Sequence, residues 1–179
     1  MATLPRPPVV PVEDYLDASY SDGDREYLDG AVVERNVGTP DHSALQKILT
    51  VHLAAFEKQL GIAVRPECRT RIGETRFRVP DILVMLRPFR QTGRMVLDAP
   101  LLVIEILSPD DRMGDTVRRL GEYEELGVPH IVQMDPQDRT TFVFLKGDLV
   151  RRDLSSIEVP GRGSIPFDSR ALLARLDEE

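Results

Sequence analysis

Two acidic residues interrupt runs of sequence that otherwise read as apolar strands. Glu105 lies within residues 101–107, and Asp81 follows Pro80 just before residues 82–85. An ionised carboxylate buried without a partner costs several kcal/mol, so Glu105 must be paired, protonated or metal-bound. If the two runs form neighbouring strands, both carboxylates project from the same face, where their oxygens suit Mg²⁺ or Mn²⁺. The sequence therefore predicts a divalent-metal site at Asp81 and Glu105.

Other arrangements of these two residues stay open at this point. Glu105 could form a buried ion pair with an arginine, or reach water from the end of its strand. The dipeptide Pro80-Asp81 is also typical of a turn. A metal held by the pair would polarise a phosphoryl oxygen and lower the pKa of an attacking water. The chemistry that the metal site indicates is therefore hydrolysis at phosphorus.

The sequence around Asp81 is strongly basic. Eight arginines and three acidic residues lie between Arg65 and Arg94, although the whole chain has a formal net charge of −7. That net charge argues against a generic polyanion binder. Because arginine forks match phosphate oxygens, the stretch could face a nucleic-acid backbone. It could equally consist of solvated strand edges and loops, and composition alone does not separate these alternatives.

One domain can account for most of the chain. Of the 179 residues, 41% are hydrophobic and 30% are charged, which is enough to bury a core. The proline-rich residues 1–11 are expected to form an extended arm, and 12–179 a single domain. No apolar run is long enough for a signal peptide or a membrane span. Since Cys68 is the only cysteine, and is expected to be inert in the core, we expect a cytoplasmic protein without disulfides.

Turn, capping and periodicity signals divide the chain into helices and strands. Asp29-Gly30 predicts a tight hairpin turn, Thr39-Pro40 predicts a helix start, and Gly61 and Gly127 predict helix ends. A strand–helix–strand step over residues 101–134 favours a right-handed crossover, so the sheet should be mixed and covered by helices. The predicted elements are a helix over 12–20, a hairpin over 25–34, a helix over 39–61, strands over 63–72, 77–85 and 101–107, a helix over 111–126, a strand over 129–134, a hairpin over 140–153 and a helix over 168–176.

Several of these segments resemble a known nuclease family. Residues 79–84 read VPDILV and residues 100–109 read PLLVIEILSP, followed by Tyr123, Gly127-Val128-Pro129 and Asp135-Pro136. Together these motifs resemble the Uma-type restriction endonucleases of the PD-(D/E)XK nuclease superfamily, over residues 27–176. The resemblance implies an α/β, restriction-endonuclease-like fold with an αβββαβ core. This agrees with the element order above, to which N- and C-terminal β-hairpins are added.

The resemblance also implies an activity. The expected function is an endonuclease that hydrolyses phosphodiester bonds in nucleic acid, with Mg²⁺ or Mn²⁺ held by Asp81 and Glu105. DNA is the expected substrate, and no membrane partner is expected. A homodimer is also expected, because nucleases that cut both strands are commonly dimers and the hairpin at 140–153 offers an exposed edge.

The sequence departs from the superfamily at its third catalytic position. The usual lysine two residues after the glutamate is Leu107 here. In the Uma-type family a lysine on the following helix takes over within a D-x-x-x-K pattern, and Arg119 stands at that place after Asp115. Arginine can stabilise the charge of a phosphorane, but its high pKa prevents it from acting as a general base. Arg119 is therefore the third candidate catalytic residue, with a surface ion pair to Asp115 as the alternative.

Glu34 and His42 are two further candidates that the resemblance supplies. Glu34 matches an acidic family position and is a candidate outer-shell or second-metal ligand, or else a strand-surface residue. His42 matches a position in the first turn of the long helix, where it could instead cap the helix or be solvated. Ala31 stands where the family tends to have a glutamate. His52 is expected to be a core histidine, and His130 receives no role.

Two functions from different classes follow from these observations. The first is the metal-dependent endonuclease, which the retained Asp81 and Glu105 favour. The second is a catalytically inactive or weak member of the same fold that binds nucleic acid or acts as a scaffold. The missing lysine and the net charge of −7 favour this alternative.

Overall fold

The structure is a computed structural model that describes residues 9–21, 23–36 and 38–178. Most of the predicted N-terminal arm, residues 1–8, therefore lies outside the described residues. Residues 9–11 have no regular secondary structure, but Val10 N donates a hydrogen bond to Gly30 O at 2.9 Å. The described end of the arm is thus attached to the first hairpin.

Five α-helices and twelve strands make up the regular structure of the described residues. The helices are α1 Val12–Asp17, α2 Pro40–Ala54, α3 Glu57–Leu60, α4 Met113–Leu126 and α5 Ser169–Ala174, which is followed by a 3₁₀ turn Arg175–Glu178. The strands are β1 Glu26–Leu28, β2 Ala31–Val33, β3 Ile62–Pro66, β4 Thr70–Arg71, β5 Arg76–Arg78, β6 Ile82–Leu86, β7 Leu102–Ile106, β8 His130–Asp135, β9 Thr140–Leu145, β10 Asp148–Arg151, β11 Ser156–Val159 and β12 Gly163–Pro166. None of the helices described is long and apolar enough to cross a membrane.

A six-stranded mixed sheet forms the centre of the fold. Its strand order is β10-β9-β8-β7-β6-β3, and only the β7–β8 pair is parallel. In chain order α2, β3, β6, β7, α4 and β8 follow one another, so the predicted αβββαβ core and mixed sheet are confirmed. The parallel pair requires the long crossover that α4 supplies.

Helices cover both faces of this sheet because its central strands are apolar on both sides. Ile104 and Val132 belong to the larger core cluster, which also contains residues of α2, α5 and the β11–β12 hairpin. Their neighbours Val103 and Ile131 pack with Leu120 and other residues of α4. Successive residues of β7 therefore alternate between the two layers.

The helix predicted over residues 39–61 is divided in two. The predicted start is correct, since Thr39 Oγ1 accepts a hydrogen bond from His42 N at 3.2 Å and Pro40 occupies the first turn. The predicted stop at Gly61 is also correct, with φ of 59°. Between them the helix breaks at Ala55 and Phe56, where no proline or glycine signals the interruption.

Two of the predicted core strands are also divided. The run 63–72 forms β3 and β4, separated at Glu67, whose φ is 48°. The run 77–85 forms β5 and β6, separated around Pro80, which cannot donate a hydrogen bond to a sheet ladder. In both cases one half stays in the central sheet, and the other joins a second, four-stranded sheet of order β2-β1-β5-β4.

Both predicted hairpins are present, with one addition. Asp29 and Gly30 have φ of 50° and 96°, the two positive values of a type I′ turn, between β1 and β2. The hairpin predicted over 140–153 forms β9 and β10, which extend the central sheet. The additional hairpin, β11–β12, was not predicted, and His52 and His130 attach it through the carbonyl oxygens of Pro166 and Glu158 at 2.7 and 3.0 Å.

Candidate functional site

The strand register brings Asp81 and Glu105 side by side. Ile82 lies opposite Ile104 in the antiparallel β6–β7 pair, so Asp81, one residue earlier, is level with Glu105. The backbone N–H of Ile106 donates a hydrogen bond to Asp81 Oδ2 at 2.7 Å. Both acidic side chains are buried, and both line a small cavity of about 20 Å³, the space of roughly one water molecule.

Asp81 is held in its charged form by several partners. Arg35 Nη2 donates to Asp81 Oδ1 at 2.5 Å, and His42 Nε2 lies 3.4 Å from Asp81 Oδ2. Burial by itself would raise the pKa of the Asp81 carboxyl, but His42, Arg35 and the Ile106 N–H together lower it below its usual value. In return Asp81 raises the pKa of His42, although the burial of His42 opposes its charge.

Glu105 is less well compensated. Tyr123 Oη donates a hydrogen bond to Glu105 Oε1 at 2.7 Å, and Arg119 Nε lies 3.7 Å from the same oxygen. Burial raises the pKa of Glu105 to about 7, the charge of Asp81 adds to this effect, and Arg119 and Tyr123 only partly offset it. Near neutral pH this carboxylate therefore gains from any additional positive charge in the cavity.

Arg119 points into the site from α4, and its neighbour Arg118 points outward. Arg118 is 68% exposed and pairs with Asp115 at 3.3 Å, whereas Arg119 Nε is buried and has no hydrogen-bond partner among the described residues. The charge of Glu105 raises the pKa of Arg119 despite its burial. Tyr123 shares this face of α4, because residues four apart lie above one another on a helix.

Of the other two candidates, the structure brings His42 to the site but not Glu34. His42, in the first turn of α2, lines the cavity beside Asp81. Glu34 is 73% exposed and pairs with Arg25 at 3.0 Å, and it does not line the cavity. Glu34, the candidate outer-shell or second-metal ligand, therefore lies outside the cavity of Asp81 and Glu105, as an exposed residue at the adjoining cleft.

Four residues that the sequence analysis did not select also contribute to the site. Asp111 lines the cavity, and its oxygens accept hydrogen bonds from Ser108 N at 2.8 Å and Asn36 Nδ2 at 2.9 Å. Arg35, the second of these residues, lines the cavity and donates a hydrogen bond to Asp81. The spacing of Tyr123 after Arg119 could have indicated Tyr123, and the turn after β7 could have indicated Asp111. Arg35 and Asn36 lie in the connection after β2, outside any motif.

The donor set fits a hard divalent cation that keeps part of its water shell. No group of three His, Cys, Asp or Glu residues arranged to hold a metal occurs within residues 9–21, 23–36 and 38–178. A structural zinc site is therefore not indicated there. Mg²⁺ commonly uses one or two carboxylates and completes its shell with water and substrate phosphate. Asp81 and Glu105 can supply such ligands, and the raised pKa of Glu105 shows that its charge is not fully compensated.

A larger cleft of about 490 Å³ adjoins the cavity. Arg35, Asn36, Asp111 and Arg119 line both spaces. Among the residues that the structure describes, charges of both signs line the cleft in equal number: Arg35, Arg78, Arg112, Arg118 and Arg119 against Glu26, Glu34, Asp110, Asp111 and Asp115. The opening above the carboxylate pair is therefore polar without being strongly basic.

The basic stretch around Asp81 consists mainly of paired arginines. Six of its eight arginines lie within 4.0 Å of a carboxylate oxygen: Arg65, Arg69, Arg76, Arg78, Arg87 and Arg90. Most of these acids come from other parts of the chain, such as Asp24 and Glu57. The stretch therefore does not form a continuous surface of unpaired arginines for phosphate.

Comparisons with known proteins identify related chains. The model of a family described as "Uma2: Putative restriction endonuclease" matches residues 12–166. The crystal structure of a protein from Anabaena variabilis, described as "a putative nuclease belonging to DUF820", aligns with a TM-score of 0.76 and 23% identity over 92% of this chain and 97% of that one, which shows a shared fold. A DrdV–DNA complex aligns with a TM-score of 0.41 and 15% identity, over 78% of this chain and 12% of that one, too weakly for any conclusion. No curated protein matches.

Proposed function

Because this chain belongs to the Uma2 family of restriction-endonuclease-like proteins, we propose that it is a divalent-metal-dependent endonuclease that hydrolyses phosphodiester bonds in nucleic acid, with DNA as the substrate to test first. The observation that carries this proposal is the buried pair Asp81 and Glu105, level on neighbouring strands and lining a cavity that adjoins a cleft of about 490 Å³. Here burial raises the pKa of Glu105 to about 7, which is typical of a functional site.

Asp81 and Glu105 are the residues that would hold Mg²⁺ or Mn²⁺. When bound, such an ion polarises a phosphoryl oxygen and lowers the pKa of an attacking water. The surrounding side chains keep the two carboxylates in place. The Ile106 N–H and His42 orient Asp81, and Tyr123 orients Glu105 through its hydrogen bond.

Arg119 would stabilise the negative charge that develops on the phosphate. Its guanidinium lines both the cavity and the cleft, and its buried Nε has no hydrogen-bond partner among the residues described. An arginine stays protonated at neutral pH, so it can donate hydrogen bonds to phosphate oxygens but cannot accept a proton from water. The proposed role of Arg119 is therefore electrostatic.

A second function is favoured by a different observation. Arg35 already forms an ion pair with Asp81 at 2.5 Å, and the cleft has as many acidic as basic side chains. With Leu107 in place of the superfamily's lysine, these features suit a weakly active or inactive member that binds nucleic acid or acts as a scaffold. The two functions share a fold and differ only in whether the site accepts a metal and cleaves.

A cleavage assay separates the two functions. Single- and double-stranded DNA and RNA would be incubated with the protein and Mn²⁺ or Mg²⁺, with EDTA as the metal-free control. The endonuclease should cleave at least one of these substrates only when metal is present, and Glu105→Gln should abolish cleavage. Glu125→Gln, an exposed change on α4, should not. Absence of cleavage by wild type under all conditions, together with unfolding of Glu105→Gln, would favour the scaffold.

The homodimer is a separate part of the proposal. β10 is one of the two edge strands of the central sheet, and edge strands expose unpaired N–H and C=O groups that can pair with a second copy. Sedimentation equilibrium would measure the mass of the protein in solution. If the protein is a monomer at all concentrations tested, the proposed homodimer is wrong and the proposed metal site is unaffected.

A further inference from the structure

Arg35 stands between the cleft and the carboxylate pair. It follows β2, lines both the 490 Å³ cleft and the 20 Å³ cavity, and its side chain is 22% exposed. Nη2 donates to Asp81 Oδ1 at 2.5 Å and Nη1 to Glu67 Oε1 at 3.3 Å. The guanidinium of Arg35 thus contacts the buried carboxylate of Asp81 through Nη2, while the Arg35 side chain also lines the cleft.

The charge of Arg35 is permanent. A guanidinium keeps its proton in proteins, and here Asp81, Glu105 and Glu67 raise its pKa although its burial acts in the opposite direction. Arg35 therefore cannot leave Asp81 by losing its charge. It can leave only by moving the guanidinium to another anion.

A metal ion on Asp81 would have to compete with Arg35. Both Asp81 oxygens have partners: Oδ2 accepts the Ile106 N–H at 2.7 Å and lies 3.4 Å from His42 Nε2, and Oδ1 accepts from Arg35 Nη2 at 2.5 Å. Of these partners only Arg35 lines the larger cleft, so it is the one with space to move away. A divalent cation held by Asp81 would bind a carboxylate that Arg35 already contacts. Two cations so close repel each other strongly in a buried site.

We propose that Arg35 is an exchangeable counter-ion of this site: it neutralises Asp81 until a divalent cation displaces it, and then turns toward the cleft to bind a phosphate of the nucleic-acid strand. This inference rests on the proposed function, because it requires Asp81 to be a metal ligand. Guanidinium and phosphate form paired hydrogen bonds, so the displaced side chain has a matching partner in the substrate. Arg35 is in this way a substrate-positioning residue that also sets the metal affinity.

The test measures Mn²⁺ binding by isothermal titration calorimetry on the full chain without nucleic acid. Arg35→Gln removes the competing positive charge and should bind Mn²⁺ about tenfold more tightly than wild type. Arg118→Gln is the matched control, because Arg118 lines the same cleft but pairs with Asp115, and its affinity should stay within about twofold of wild type. A purely structural role of Arg35 would leave the affinity unchanged or lower it.

A second measurement covers the phosphate-binding half of the proposal. Binding of a fluorescein-labelled DNA oligonucleotide, followed by anisotropy with Ca²⁺ present, should be weaker for Arg35→Gln by about tenfold. If Arg35→Gln does not fold, Arg35→Met, which also lacks the charge but keeps an apolar stem, replaces it in both measurements. Arg35→Lys is a further variant that separates the charge from the hydrogen-bonding geometry. Lysine keeps the charge but not the fork, so this variant should bind Mn²⁺ like wild type and the oligonucleotide more weakly.

The outcomes distinguish this inference from the proposed function. Equal Mn²⁺ affinity of wild type and Arg35→Gln would overturn the exchange and leave the metal site intact. If neither wild type nor any variant binds Mn²⁺, the proposed metal site is wrong, and the exchange of Arg35 for a metal ion is wrong with it. Mn²⁺ binding by Arg35→Gln but not by wild type would support the exchange and explain a poorly active protein.

Discussion

The protein contains two buried clusters of arginine and acidic side chains, which differ in how closely the opposite charges are paired. In the structural cluster, Arg78 donates to Glu26 at 2.5 Å and to Glu122 at 2.7 Å, and all three side chains are less than 10% exposed. In the site cluster, formed by Asp81, Glu105, Arg119 and Arg35, the contact of Arg119 with Glu105 is 3.7 Å long and its Nε has no hydrogen-bond partner among the described residues. The first cluster is satisfied internally and the second is not.

This difference indicates which cluster can bind something else. A buried ion-pair network whose donors and acceptors are all used has nothing to gain from a ligand. The site cluster keeps a carboxylate, Glu105, whose pKa is raised to about 7. It also keeps a guanidinium nitrogen, Arg119 Nε, that has no hydrogen-bond partner within the described part of the chain. Both clusters border the same cleft through Arg78 and Arg119, so proximity to the cleft does not separate them. The two clusters differ in how fully their buried polar groups are hydrogen-bonded.

The largest expected effect comes from breaking the structural cluster. Arg78→Gln leaves Glu26 and Glu122 buried without their common partner, and should lower the free energy of unfolding by about 3–5 kcal/mol. Urea denaturation would measure it. Arg90→Gln, which removes an exposed pair with Asp98, is the matched control and should cost less than about 1 kcal/mol. A small effect of Arg78→Gln would show that this cluster is not the structural one.

The next effect concerns metal binding at the site cluster. At a concentration of about 100 times its Kd, Mg²⁺ should raise the free energy of unfolding of wild type by about 2.7 kcal/mol. Glu105→Gln should fold, show no loss of stability without metal, and lack this increase, because the variant removes a buried negative charge. Thermal denaturation with and without Mg²⁺ measures both. Destabilisation of Glu105→Gln in EDTA would instead make Glu105 a structural ion-pair partner.

A pH dependence should also mark the site cluster. The pKa of Glu105 is raised in the folded protein from 4.5 to about 7, so between these values the folded state binds more protons than the unfolded state. In EDTA the stability of wild type relative to Glu105→Gln should therefore fall as the pH rises from 4.5 to 7, by at most about 1.4 kcal/mol per pH unit. Urea denaturation at several pH values would show it. A constant difference would mean that Glu105 is already ionised.

The smallest effect concerns the hydrogen bond of Tyr123. Tyr123→Phe should cost about 1 kcal/mol of stability and weaken Mn²⁺ binding by up to about tenfold, because the hydroxyl stabilises the ionised form of Glu105. Tyr27→Phe is a matched control, since the Tyr27 hydroxyl is also a donor, to Val10 O at 2.6 Å. It should lose similar stability without any change in Mn²⁺ affinity. Equal Mn²⁺ affinity of the two variants would separate Tyr123 from the site.

Elements set by adjacent residues were predictable from the sequence. The type I′ turn at Asp29-Gly30, the cap at Thr39 and the helix end at Gly127 all have local signals that the structure confirms. The break at Ala55 lacks such a signal, and the break at Glu67 was not predicted although Pro66 precedes it. They depend on how the chain packs against the sheets, because the intrinsic preference for helix or strand is weak compared with tertiary contacts.

The sequence by itself determined that two acidic residues, Asp81 and Glu105, border or interrupt apolar strands, where a carboxylate needs a partner because its burial is costly. It predicted that they project together only if the two strands are neighbours, and the β6–β7 register of the tertiary structure places them level. Only the tertiary structure decided which cations meet them. Arg35 lies 46 residues before Asp81, and Asn36 lies 75 residues before Asp111, so no local pattern connects either pair. The same holds for the arginines around Asp81, whose acidic partners come largely from other elements. Charge pairing depends on distance in space, and that distance is set by how the second sheet and α4 pack around β6 and β7.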